Sequence, residues 1–173
     1  AVRDATRYLI EQGHRNIAVV TGPQGFRSAA ERLAGFEEAL SEAGIKLPRS
    51  HKAEGEYTFE SGLAATEQLL DLSPRPTAIF ASNDEMAAAV LYAARVRGIS
   101  VPEDLSIVGF DDTPIAARVW PPLTTVRWPI VAMGRSAAHK LIAGAAGEID
   151  LNNEPSEFLS TLIRRGSVAS PKS

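Results

Sequence analysis

Residues 78–98 read AIFASNDEMAAAVLYAARVRG: an unbroken apolar run, a short polar break, and a long alanine-rich stretch closed by glycine. The run Ala78–Ser82 shows no polar alternation, so both of its faces are expected to be buried, as in a strand at the middle of a parallel sheet. Asp84 to Arg97 then reads as a helix that Gly98 ends. The same order recurs upstream. Ile17–Val20 is β-prone, Gly22, Pro23 and Gly25 form a turn, and the next stretch carries Ala29, Leu33, Phe36 and Leu40 on one helical face. Ser28 and Glu31 have the spacing of a capping box, which predicts a helix start at Ser28, with Gly44 as its stop. His51–Tyr57 reads as a strand and Phe59–Leu72 as a helix with Thr58 as its N-cap.

Both flanks extend the pattern. Val2, Ala5, Leu9 and Ile10 recur at helical spacing, and Gly13 sits where a left-handed residue would follow the helix. Downstream, Pro102 and Asp104 turn the chain into a strand over Leu105–Phe110, and a second extended piece, Thr124–Arg127, follows Pro121 and Pro122. A helix over Ile130–Ala143 and a last strand over Phe158–Arg164 complete the alternation, and Ser167–Ser173 reads as a frayed tail. Strands alternating with helices of this length imply right-handed crossovers and a sheet covered on both faces. The fold class is α/β, a doubly wound parallel sheet.

Composition narrows the chemistry. At 173 residues, 45% of them hydrophobic and 23% charged, the chain holds one packed domain and is not a disordered segment. A net charge of −3 argues against a nucleic-acid surface on this piece, because phosphate neutralisation needs clustered Lys and Arg. Without cysteine there is neither a disulfide framework nor a thiolate metal site. His14, His51 and His139 are too scattered for a metal motif, so no metal and no cofactor is expected. The most apolar helical stretch, Met86–Val96, falls short of the roughly 20 residues that span a bilayer. The N-terminus lacks a signal-peptide pattern, and a cytoplasmic location without a membrane partner is the expectation.

In open parallel sheets, ligands sit beyond the carboxyl ends of the strands. Those ends offer Gly22 with Ser28 and Arg32 in the helix beyond it, then Glu56 and Tyr57, Asn83 and Asp84, and Asp111 and Asp112. Arg32 can present a planar fork to vicinal hydroxyls, Asn83 and Asp111 supply complementary partners, and Tyr57 or Trp128 offers a ring face. That mixture suits a sugar or similar polyol. Each residue also has an ordinary structural use: Asn83 and Asp84 as caps, Arg32 as a surface partner of Glu31 or Glu37, Tyr57 and Trp128 as partial core. The turn at Gly22–Gly25 matches neither a dinucleotide fingerprint nor a P-loop. Asp111 and Asp112 admit a remote reading as a Mg²⁺-dependent phosphohydrolase, but no nucleophile with a base is evident and no catalytic residue is assigned.

Several stretches together carry a resemblance. These are Gly13-His14-Arg15 with Thr21-Gly22-Pro23; Glu31-Arg32-Leu33 with Gly35-Phe36; Pro76 to Phe80 running to Asn83-Asp84; Val101-Pro102 through Gly109-Phe110-Asp111-Asp112; and Pro121 to Val126. In this order they resemble the regulatory domain of the LacI/GalR family of bacterial repressors, whose fold is that of periplasmic sugar-binding proteins. The resemblance implies a small-molecule effector, a sugar by preference, bound by Arg32, Asn83 and Asp111, with Ser28 as a loop contact and Tyr57 as an aromatic wall. It also implies a homodimer that reaches DNA only through a helix-turn-helix head outside this chain. Trp128 departs from the family, which often carries Gln there, and an indole points to a more apolar or stacked ligand.

On the same basis, residues 16–128 with a final strand at 158–166 correspond to the second of two lobes, most of the first lobe being absent. Residues 1–15 and 129–157 would pack on the first lobe, 167–173 forming the tail, and the apolar faces of the two helices there are expected to need a cover from each other or from a second chain. A transport receptor of the same fold is the alternative reading.

Overall fold

The β-prone runs Ile17–Thr21 (β1), Lys52–Glu54 (β2), Ala78–Ala81 (β3), Ser106–Asp111 (β4), Thr124–Arg127 (β5) and Thr161–Ile163 (β6) form one sheet in the order β2-β1-β3-β4-β5-β6. The computed structural model describes residues 1–145 and 158–172. Neighbours from β2 to β5 pair in parallel, and β6 adds to the edge antiparallel to β5. The helices are Val2–Glu11 (α1), Arg27–Glu42 (α2), Phe59–Leu70 (α3), Asp84–Val96 (α4), Pro114–Arg118 (α5) and Ile130–Ala145 (α6).

Side-chain alternation along the strands divides the core in two. Ala18, Val20, Ile79, Ala81 and Ile107 pack with α3 and α4 on one face, and Ile17, Val19, Ala78, Phe80, Val108 and Phe110 pack with α1 and α2 on the other. Burial on both faces is the cause of the unbroken apolar run at residues 78–81, all of which are buried.

Helix ends follow local chemistry in most places. Asn83 caps α4 by accepting from the Met86 amide at 2.9 Å, Asp84 and Glu85 lie in the first turn, and Gly98 leaves the helix at φ +70°. Thr58 caps α3 by accepting from the Ser61 amide. Gly13 sits at φ +103°, as its place after α1 predicts.

Other expectations are corrected. α2 begins at Arg27 with extended Phe26 as its N-cap and makes no side-chain cap bond; Ser28 is already inside the first turn, and Glu31 pairs with Arg27 at 2.6 Å instead. The strand expected over His51–Tyr57 is only Lys52–Glu54, because a 3₁₀ turn occupies Arg49–His51 and Tyr57 adopts φ +61°. The last strand is Thr161–Ile163, shorter than Phe158–Arg164 and antiparallel. α5 follows β4 in a stretch with no helical periodicity to announce it.

α1 finds its cover within this chain, on α2 and the sheet beneath it. Val2, Ala5 and Leu9 are buried in the core shared with Phe36, Leu40 and Val126. α6 behaves differently: Ile130, Val131, Leu141 and Ile142 are all exposed, and only Ala143 is buried. The expectations for residues 146–157 lie outside the described residues.

The tail is not frayed over Ser167–Lys172. The Ser167 hydroxyl donates to the Ile107 carbonyl at 2.5 Å and accepts from the Thr124 amide, and Lys172 pairs with Asp104 at 2.6 Å. Buried His14 completes the strap, its Nε2 lying 2.9 Å from the Ala169 carbonyl and its Nδ1 2.9 Å from the Thr77 hydroxyl. A carbonyl only accepts, so Nε2 carries the proton and donates to Ala169. Burial lowers the pKa of His14 below its ordinary value. Its stability contribution is therefore present above the unfolded value of about 6.5 and is lost as pH falls through the folded one. His14→Ala is expected to cost about 2–4 kcal/mol at neutral pH. Urea denaturation checks this, and carboxypeptidase digestion of the freed tail should quicken; an unchanged midpoint would show that the strap holds without His14.

Candidate functional site

The strand order reverses at β1, whose neighbours β2 and β3 lead away on opposite sides, and a crevice is expected beyond the carboxyl ends at such a point. Arg32 reaches that rim from the second turn of α2. Its guanidinium donates to the Ser82 carbonyl and, at 3.3 Å, to Oδ1 of Asp111. The planar group also lies over the Phe110 ring, 3.9 Å from its centroid, and 5.7 Å from that of Tyr57. Arg32 is thus not the surface partner of Glu31 or Glu37; Glu37 pairs with Lys52.

Asn83 does two structural jobs at once. Its Oδ1 caps α4, and its Nδ2 donates to the Tyr57 carbonyl at 2.8 Å. Tyr57 lies against Gly22 so closely that a Cβ there would stand 2.2 Å from the ring Cζ, which is why the loop needs glycine at that point. Phe26 meets the same ring edge-on at 6.2 Å.

Asp111 ends β4 at φ +105°, with its side chain 26% exposed. Burial raises its carboxyl to about 6; the charge and hydrogen bond of Arg32 oppose that rise, and the nearby charge of Asp84 adds to it. Asp112 differs. Burial pushes it up, but Arg165 and Arg127, at 2.5 and 2.6 Å, more than offset that effect and hold it below the usual range.

Trp128 leaves β5 beside Phe110, with ring centroids 6.2 Å apart. Among the described residues, the buried Tyr57 hydroxyl and Trp128 Nε1 have no hydrogen-bond partner. A cavity of about 560 Å³ is lined by Ser28, Arg32, Phe110, Asp111, Trp128 and Ile130, among others. A larger cleft of about 710 Å³ lies at the opposite end of the sheet, beside Trp120 and Ile99, and holds none of the expected site residues.

The structure therefore brings Arg32, Tyr57, Asn83 and Asp111 to one rim, with Trp128 and the exposed Ser28 at its border. Sequence reasoning missed Phe110 as the platform under Arg32 and Asp84 as a buried acceptor for Thr113 and Thr125. Gly109 inside a strand was the available signal for a close approach there.

Residues 6–168 match the periplasmic binding protein-like domain family. The chain is 43% identical over 146 residues to the transcriptional regulator CelR of Thermobifida fusca, which is 84% of this chain and 43% of that one. This chain is a periplasmic binding protein-like domain of the LacI family. The LacI-family fold is also that of the CelR–cellobiose complex, with a TM-score of 0.89 and 40% identity over 96% of this chain and 50% of that one. A dimeric Lac repressor aligns at a TM-score of 0.90 and 31% identity, over 98% of this chain and 61% of that one. The chain spans less than half the length of the curated LacI-family relatives it matches.

Proposed function

We propose that this chain is the effector-binding lobe of a cytoplasmic bacterial transcription regulator, that it takes a sugar or similar polyol, and that it has no catalytic role. The observation that carries this reading is the Arg32–Asp111 pair set among the Phe110, Tyr57 and Trp128 rings at the switch-point rim. Charged hydrogen-bonding groups beside flat apolar faces match the two kinds of surface on a sugar ring. The likeness to CelR, solved with cellobiose, supports the ligand class and favours a regulator over a transport receptor.

In the complete regulator, effector held between two lobes would shift an open–closed equilibrium and so the spacing of two DNA-binding heads in a homodimer. The likeness to a dimeric Lac repressor supports the assembly. The exposed apolar residues of α6 suit cover by the other lobe. A phosphohydrolase built on Asp111 and Asp112 is disfavoured, since the Asp112 carboxylate is already held by two guanidiniums and Asp111 by a third.

Calorimetric titration of the complete regulator with a panel of mono- and disaccharides, cellobiose included, tests the reading. At least one sugar should bind, and Arg32→Ala should weaken it about 30-fold, or about 2 kcal/mol. A panel without a binder would defeat the sugar assignment, and undiminished binding by the variant would remove Arg32 from the site.

A further inference from the structure

Among the described residues, three that are not glycine have positive φ: Tyr57, Asp111 and Asp112, at +61°, +105° and +53°. All three lie on the rim that carries the effector reading. Such conformations cost energy and persist only where the surroundings over-determine them. Two adjacent residues at the start of α4 hold them. Asn83 takes the Tyr57 carbonyl, and Asp84 holds the turn that contains the two aspartates.

Asp84 has no exposed surface. Its Oδ2 accepts from the Thr113 amide at 2.6 Å and the Thr113 hydroxyl at 3.0 Å, while Oδ1 accepts from the Thr125 hydroxyl at 2.6 Å. Thr125 in turn accepts from the Asp112 amide at 3.4 Å. One carboxylate thus ties α4, the turn after β4 and the middle of β5. The strand makes room for it: a Cβ at Gly109 would stand 2.4 Å from Asp84 Oδ1. Burial pushes the Asp84 carboxyl above its ordinary value, and the three hydrogen bonds from Thr125 and Thr113 oppose that rise without cancelling it.

We infer that Asp84 is a positioning residue, which sets the Asp111–Thr113 turn so that Asp111 faces Arg32 before any ligand arrives. The inference rests on the reading of this rim as an effector site. Asp84 itself makes no ligand contact; it acts through Thr113 and Thr125.

Amide hydrogen exchange on this chain, without any effector, tests it. In Asp84→Ala the Thr113 amide should exchange at least tenfold faster, while the Phe80 amide in β3 keeps its rate. Asp84→Asn, which keeps the side-chain size and one acceptor oxygen, provides the second variant and should fall between. Carbon-13 titration of the Asp111 carboxyl should show a displaced midpoint in both variants, because the Asp84 charge that raises it is removed and its approach to Arg32, which lowers it, is loosened; an unmoved midpoint would overturn the inference. Unchanged Thr113 exchange would overturn the inference. So would equal acceleration at Thr113 and Phe80, which would mark Asp84 as a contributor to general stability alone. No sugar enters this test, so a failed effector reading leaves its outcome intact.

Discussion

Asp111→Asn is expected to make the empty protein more stable at pH 7 and to weaken effector binding by the complete regulator about a hundredfold, or about 3 kcal/mol. The two effects share one cause. A carboxyl that titrates near 6 in the folded chain and at 3.8 in the unfolded one costs about 3 kcal/mol at pH 7. The Arg32 charge at 3.3 Å reduces that cost without cancelling it, because the side chain is largely withdrawn from water.

The raised value also sets the pH dependence. Asp111's contribution is fully present below about 3.8 and is lost as pH rises through about 6, so wild type should gain on Asp111→Asn as pH falls across that window. His14 contributes with the opposite sign, and the difference between wild type and variant isolates Asp111. Urea denaturation of both proteins from pH 4 to pH 7.5 checks the stability half, and calorimetry with a panel sugar checks the binding half. An asparagine variant less stable than wild type at pH 7 would mean that the Arg32 attraction outweighs burial.

Gly62→Ala is expected to destabilise the chain by about 2 kcal/mol or more. Helix propensity alone gives the opposite sign, since alanine is favoured over glycine inside a helix by about 1 kcal/mol. Packing decides. A Cβ at Gly62 would stand 2.7 Å from the Met86 Cα and 2.9 Å from its Cβ, so what it strikes is the α4 backbone rather than the flexible end of a side chain. The two helices must separate, and Met86 is the residue whose amide Asn83 caps. The loss should appear as a lower urea midpoint at unchanged slope. A midpoint at or above wild type would show that α3 can shift at little cost.

That Arg32, Tyr57, Asn83 and Asp111 share one rim was legible, because strand ends in a parallel sheet lie together whatever the details of packing. What Arg32 does there was not legible. Its partners Ser82, Phe110 and Asp111 lie 50 or more residues away along the chain, so only the register between β3 and β4 brings them under one guanidinium. Asp84 is the sharper case: next to a capping asparagine it reads as a helix-start acid, and only the turn after β4 makes it a buried anchor.

Residues 78–98 determine a buried strand and the helix after it by themselves, since an apolar run between polar breaks and an alanine-rich stretch ended by glycine depend on local periodicity and backbone preference. Tertiary structure alone decided the start of α2, the antiparallel edge strand, the pinned tail and the cover over α1. In each, the deciding partners are distant in the chain: Phe26 against Tyr57, β6 on β5, His14 under Ala169, and Val2 with Leu9 against Phe36. Local pattern shows which surface a segment must bury; it does not show which other segment arrives to bury it.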